Sequence, residues 1–359
     1  LKVISRTSAM LYKNTEKDIK KIGQELGVTT VLEGTVQKAD NDIRINTQLI
    51  NVEDGSNLWA ESYDRELKNI FEIQSDIAEK IAVALKTELS LKEKERLRQK
   101  PTESLSAYTN YVTGRNYYYN YLKHPNEMAI EFFNKALEFD PSYALAYAGV
   151  ADAYAQRWRY GYPRKWLDEA IEMSNKAISI DPNVAEGHKA LGLAYQYKGW
   201  YQQALEAYHR SVDLNPNFLA ATANIGWVNY WIGELDKALP WLKKAKDLDP
   251  MFAFSYYGLG FLYACLDDQI EAEQWLNKAL ELQPNLVRAI AKLSQLYLEQ
   301  GNYEKAFQFG QKILSIQADE FLGLIVTGDA LLISGDLDLA RKFYEKSIEL
   351  YSVRRHLFT

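Results

Sequence analysis

The sequence predicts a small α+β domain followed by an all-α array of stacked helical units, and three observations carry that reading. Pro216, Pro250 and Pro284 stand 34 residues apart, and the same step reaches Ala318 and Ser352, where the proline is lost but the surrounding pattern persists. Alanine recurs once in every period, at Ala129, Ala170, Ala204, Ala238, Ala272, Ala306 and Ala340. Residues 1 to 89 lack this beat and show strand-like alternation instead. A period of this size marks supersecondary units that cannot bury an apolar face alone and must stack on their neighbours. Function is therefore expected on a surface and not in one deep pocket.

The leading elements follow from local chemistry. Lys17 to Leu26 reads as a short amphipathic helix closed by Gly27. Val28 to Lys38 and Asp42 to Val52 read as strands joined at Ala39-Asp40-Asn41-Asp42, and Glu53-Asp54-Gly55-Ser56 turns the chain into a third strand, Asn57 to Asp64. Alternation is clearest in Ile43, Ile45, Thr47 and Leu49, which share the face turned toward the helices. Helical periodicity resumes over Ile70 to Leu89. The basic run from Lys92 to Lys100 is interleaved with Glu93 and Glu95 and reads as a solvated helical linker over residues 90–104.

In the array, with proline counted as position 32, small residues recur at position 8 (Gly192, Gly226, Gly260, Gly328) and aromatics often at 11 (Tyr154, Tyr195, Tyr263, Tyr297). The invariant alanines take position 20, and Ala136, Ala177, Ala245 and Ala279 take position 27. These are close-approach positions, where a small residue lets one helix settle into the groove of the next. Gly310 and Ile313 break the size pattern, so rearranged packing is expected there. Insertions at Tyr121 to Pro125 and at Arg157 to Pro163 are expected on the loop edge, and Pro240 early in a second helix.

This arrangement resembles the tetratricopeptide repeat family over residues 105 to 354. The resemblance implies a right-handed superhelical solenoid of seven helix-turn-helix units, at about 105–143, 144–184, 185–218, 219–252, 253–286, 287–320 and 321–354. In that family the first helix of each unit lines a concave groove, chiefly through positions 2, 5, 9, 12 and 13. Carried over, these give Ala223, Trp227, Tyr230 and Trp231, then Phe254, Tyr257 and Phe261, an aromatic floor flanked by Lys189, Gln196 and Tyr197 on one side and by Arg288 and Gln295 on the other. The floor either takes an apolar or aromatic segment of a protein partner or packs internally between adjacent helices. Positions 5 and 9 hold Lys189 and Leu193, Ala223 and Trp227, Tyr257 and Phe261, so the basic, asparagine-rich carboxylate clamp of some members is not expected.

Leu32-Glu33-Gly34-Thr35-Val36, Gln48-Leu49-Ile50-Asn51, Leu58-Trp59-Ala60-Glu61-Ser62-Tyr63-Asp64-Arg65 and Phe71-Glu72-Ile73-Gln74 are similar to the TolB amino-terminal-like domain, over residues 1–89. In bacteria such domains precede tetratricopeptide repeats in proteins fronted by a nucleotide cyclase, a protein kinase or a winged-helix module. They usually begin with a further strand and helix. With those absent and no initial methionine, the chain is expected to be a fragment of a signalling or regulatory protein.

Composition agrees. The 359 residues carry a formal net charge of −6, which argues against tracking a nucleic-acid backbone. Cys265 is the single cysteine and forms no internal disulfide. The longest uncharged run, Met251 to Leu266, is too short to cross a bilayer. His124, His188, His209 and His356 never form the paired spacing of a zinc hydrolase helix, and no Gly-Lys dipeptide supports a P-loop. Gly258-Leu259-Gly260 reads as helix packing, Asp40-Asn41-Asp42 as a hairpin turn, and Asp336 and Asp338 as helix-start carboxylates. No catalysis, metal or cofactor is expected. The final helix is expected to end near Tyr351 with Leu339, Phe343 and Ile348 uncovered, which would permit self-association through that end.

Overall fold

The computed structural model describes residues 3–87, 89–318 and 320–356. Contacts divide the chain into two compact units, one of Arg6–Val150 with Lys176–Pro182, the other built mainly of Ala151–Asn175 and the residues from Asn183 onward.

The first unit opens with a turn of helix, Arg6–Ala9 (α1), and with Ile19–Leu26 (α2). Asp18 caps α2 by accepting from the Lys20 amide at 2.6 Å, and Gly27 ends it in the left-handed region at φ 62°. Thr30–Ala39 (β1), Asp42–Asn51 (β2) and Asn57–Glu66 (β3) form an antiparallel meander, with Gly34 opposite Thr47 and Ile45 opposite Tyr63. Ile43, Ile45, Thr47 and Leu49 are all buried, as the alternation predicts. Ile43, Ile45 and Tyr63 pack on Ile73 of the helix Ile70–Ala84 (α3). The outer face is polar: Asn46 donates to Thr35 at 3.2 Å and accepts from Ser62 at 2.8 Å, and Arg44 pairs with Asp64 at 2.6 Å.

Leu91–Arg98 (α4) is not simply solvated. It lies back on α3, where Ser75 donates to the Leu97 carbonyl at 2.6 Å and Arg98 meets Glu79 at 2.8 Å. Leu105–Tyr118 (α5) and Lys123–Phe139 (α6) are the first antiparallel pair, followed by Ala144–Arg159 (α7) and Lys165–Ile180 (α8). The insertion after Tyr154 differs from expectation. Arg157, Trp158 and Arg159 add a turn to α7 and do not join the loop, because Arg157 is held 3.9 Å over the Trp166 ring and within 5.4 Å of Tyr154.

Five further pairs complete the described array: Ala185–Lys198 (α9) with Tyr201–Leu214 (α10), Leu219–Trp231 (α11) with Leu235–Leu248 (α12), Ala253–Cys265 (α13) with Gln269–Leu282 (α14), Val287–Glu299 (α15) with Tyr303–Ile316 (α16), and Phe321–Ser334 (α17) with Leu337–His356 (α18). α18 runs past the expected stop near Tyr351. Ile348 is exposed on it, while Leu339 and Phe343 are half-buried.

The repeat pattern is a packing rule. A Cβ on Gly192 would fall 2.7 Å from the Tyr208 ring, on Gly226 2.8 Å from Leu242, on Gly260 2.6 Å from Leu276 and on Gly328 2.9 Å from Tyr344. Each position-8 glycine thus lies under the large position-24 side chain of its own second helix, beside a position-20 alanine buried in all seven units. The sixth unit inverts the sizes. Ser294 stands at position 8 and Gly310 at 24, so α16 closes on α17 instead: a Cβ on Gly310 would be 2.4 Å from Thr327 Oγ1 and 3.0 Å from its amide nitrogen. Ile313, where alanine is usual, fills the space over Gly323.

Two outcomes follow from these contacts. Gly310→Leu, which restores the repeat pattern, should destabilise by about 1–3 kcal/mol, read as a lower urea midpoint, because Thr327 presents backbone there. The first unit should be pH-sensitive at both extremes. The Tyr63 hydroxyl donates to Asp76 at 2.6 Å and holds that carboxyl below its usual range, so its stabilisation is complete above the ordinary carboxylate pKa and lost as pH falls through the depressed value. Burial, and then Asp76, push the Tyr63 phenol up to about 12, so its share is complete below the ordinary phenol pKa and lost as pH rises through the shifted one. Asp76→Asn should flatten the acid limb of a plot of unfolding midpoint against pH.

Candidate functional site

The first helices α9, α11, α13 and α15 carry the sequence-predicted site in the second unit. Glycine or serine at position 8 faces each helix's own partner, so positions 5, 9, 12 and 13 fall on other sides and come into line from unit to unit. Trp227 is the hub. Its ring centroid lies 5.6 Å from Tyr257, 5.8 Å from Phe261, 6.1 Å from Tyr230, 6.2 Å from Phe254 and 6.4 Å from Trp231. Tyr230 meets Phe261 edge to face at 5.1 Å. Such pairs stabilise by about 0.5–1.5 kcal/mol each beyond area burial.

The six rings differ in exposure, so the floor is partly packed and partly surface. Tyr257 and Ala223 are buried; Trp227, Tyr230, Phe254 and Phe261 are half-buried; Trp231 is 44% exposed. Burial pushes the Tyr257 phenol up, opposed by the positive charge of Arg288. Cys265 is exposed and lies beside the Tyr230 hydroxyl, whose pKa burial also raises.

The flanks divide. Arg288 and Gln295 are exposed, the guanidinium 5.9 Å from the Phe254 centroid. Lys189 and Gln196 do not present their polar groups to solvent. Lys189 Nζ meets Asp152 at 2.6 Å with both side chains under a tenth exposed, at 8% and 4%, and Gln196 accepts the Tyr208 hydroxyl at 2.6 Å. Neither is therefore available as drawn from repeat position alone, since a buried ammonium requires a charged partner and a buried amide a donor. Tyr197 stays half-buried. Burial raises its phenol pKa, which the charges of Arg159, Lys189 and Arg288 oppose.

Three residues of this face escaped the sequence reading. Asp152 was visible as position 9 of the second unit. Arg159, at the end of the lengthened α7, acts by its charge on the Tyr197 phenol. Lys292, at a position outside the usual set, stands 5.0 Å over the Phe261 ring. Among the described residues no group of three or more His, Cys, Asp or Glu could hold a metal ion, and no helix is long and apolar enough to cross a membrane.

Family models described as tetratricopeptide repeat match residues 185–218, and 255–286, 287–320 and 327–353. These helix pairs are tetratricopeptide repeats. The crystal structure of the APC/C hetero-tetramer Cut9–Hcn1 shares the fold, with a TM-score of 0.55 at 19% identity over 74% of this chain and 46% of that one. YrrB, described as a TPR protein with an unusual peptide-binding site, is similar at a TM-score of 0.40 and 23% identity, over 54% of this chain and 95% of that one. A protein of Rhizobium meliloti (strain 1021) named "Putative adenylate cyclase 3" is 38% identical over 149 residues, which is 42% of this chain. The match spans 25% of the length of that relative.

The buried pair in these repeats has a measurable signature. Lys189→Met leaves the Asp152 charge uncompensated and should cost about 3–5 kcal/mol in urea denaturation, whereas Lys189→Met with Asp152→Leu should recover most of the loss.

Proposed function

We propose that this chain is a non-catalytic protein-interaction region of a bacterial signalling or regulatory protein, and that its repeats take a segment of a partner polypeptide along the aromatic groove formed by α9, α11, α13 and α15. The observation that carries this reading is the Trp227 ring cluster, contributed by two successive repeats and left half open to solvent with cations at its margin. Rigid aromatic side chains on helices bury much area on binding while losing few rotamers, which is what binding hot spots require. The tetratricopeptide repeats support a scaffold role, and the resemblance of residues 1–89 to TolB amino-terminal-like domains supports the signalling context.

A second reading rests on the cyclase-named relative: the chain is then the regulatory portion of an adenylate or guanylate cyclase, with a protein kinase or winged-helix regulator as further candidates for the output module. The two readings share the interaction surface and differ in what it controls.

Affinity capture from lysate of the source cell, comparing the parent with a Trp227→Ala, Tyr230→Ala, Tyr257→Ala variant shown to be folded by circular dichroism, tests the groove. A partner held by the parent and lost by the variant supports it; equal capture by both assigns those rings to the core. The purified chain should release no cyclic AMP or cyclic GMP from ATP or GTP, and measurable turnover would refute the non-catalytic assignment.

A further inference from the structure

The margin of the ring cluster is more cationic than the repeat positions by themselves supply. Arg288 at position 2 of α15 and Lys292 one turn further along it both stand over rings of the cluster, and the charge of Arg159, from the distant helix α7, acts with that of Arg288 on the flanking Tyr197. Arg288 lies 5.9 Å from the Phe254 centroid and Lys292 5.0 Å from that of Phe261. The charges of Arg159 on α7 and of Arg288 on α15 both oppose the rise that burial gives the Tyr197 phenol pKa. Among the described residues none of the three forms an ion pair. Asp152 is closed off by Lys189 at 2.6 Å, and Glu299 on α15 accepts from Gln295 at 3.0 Å. Arg288 and Arg159 are exposed, so their charge is offered to whatever occupies the face. This local excess of positive charge sits on a chain of formal net charge −6, so it is not a by-product of overall composition.

Resting on the groove reading above, we infer that the partner segment is acidic: it seats an apolar or aromatic side chain on Trp227, Phe254 and Phe261 and sets carboxylates against Arg159 and Arg288, with Lys292 facing a further acid. Guanidiniums bind carboxylates through paired N–H donors, and among the described residues neither Arg159 nor Arg288 is paired with a carboxylate. A peptide fits better than a single-stranded nucleic acid. The rings are turned against one another, Tyr230 on Phe261 and Trp227 on Tyr230 both at 89°, and they leave edges and clefts for side chains where base stacking needs free parallel faces.

The test is selection of random twelve-residue displayed peptides on the whole chain, then fluorescence anisotropy of an enriched peptide as a synthetic probe. Enriched sequences should combine aromatic or large aliphatic residues with Asp or Glu. Binding should weaken by about tenfold or more on Arg159→Glu with Arg288→Glu, on replacing the peptide's acids by their amides, and on raising salt, while Arg210→Glu on α10 should leave it unchanged. Neutral or basic enriched peptides that are lost on Trp227→Ala would overturn the acidic assignment and leave the groove reading standing. Peptides indifferent to both Trp227→Ala and the arginine pair would overturn both, as would no enrichment at all. Displacement of the probe by a thymidine dodecanucleotide that itself binds more tightly and depends on the two arginines would overturn the assignment in favour of nucleic acid.

Discussion

The close approach of paired helices governs this molecule. A position-8 glycine under a position-24 tyrosine or leucine, beside a buried position-20 alanine, fixes how each first helix is rotated against its own second helix. Once that rotation is fixed, the remaining faces of the first helices have no freedom left. Side chains 34 residues apart in sequence then meet across neighbouring units, and Trp227 finds Phe261 as a consequence of packing behind it. Interior density is high enough that a single added methylene at such a contact must displace something, so the register is held tightly.

The sixth unit illustrates the same constraint by breaking its usual form. Gly310 removes the large side chain that would normally stand over position 8, and the volume is recovered by Ile313 and by the approach of α16 to Thr327 and Gly323 on the next unit. What is conserved through this exchange is filled volume, with the residue at each position secondary to it. Polar groups obey a matching rule. Gln196 and Lys189 stand at positions that face a groove in a generic repeat, yet each is drawn inward by a partner of fitting chemistry, Tyr208 and Asp152. Burying the Asp152 and Lys189 charges together is tolerable where burying either alone is not.

The first unit depends on a smaller version of this logic. Alternation along β2 places Ile43, Ile45 and Leu49 inward and a polar ladder of Arg44, Asn46 and Gln48 outward, and α3 closes the inner face through Ile73. β1 adds little to that core. Leu32 and Val36 stand opposite Leu49 and Ile45 and remain 48% and 65% exposed, because the packed apolar layer of α3 lies over β2 and β3.

Sequence alone determined the class of fold, the helix pairs and the three strands, since each of these is written in local periodicity, turn chemistry and the size of residues at fixed intervals. It also named the ring cluster, because position within a repeat fixes which face a side chain occupies. It did not determine which of those side chains remain available. Lys189, Gln196 and Tyr257 share a register with exposed neighbours, and only the packed neighbours Asp152, Tyr208 and Trp227 withdraw them. The extra turn of α7 was likewise unreadable, as Arg157 holds it through rings at Tyr154 and Trp166 that no short-range pattern links. Exposure and charge pairing are sums over contacts between residues distant in the chain, and the tertiary structure is where those sums are made.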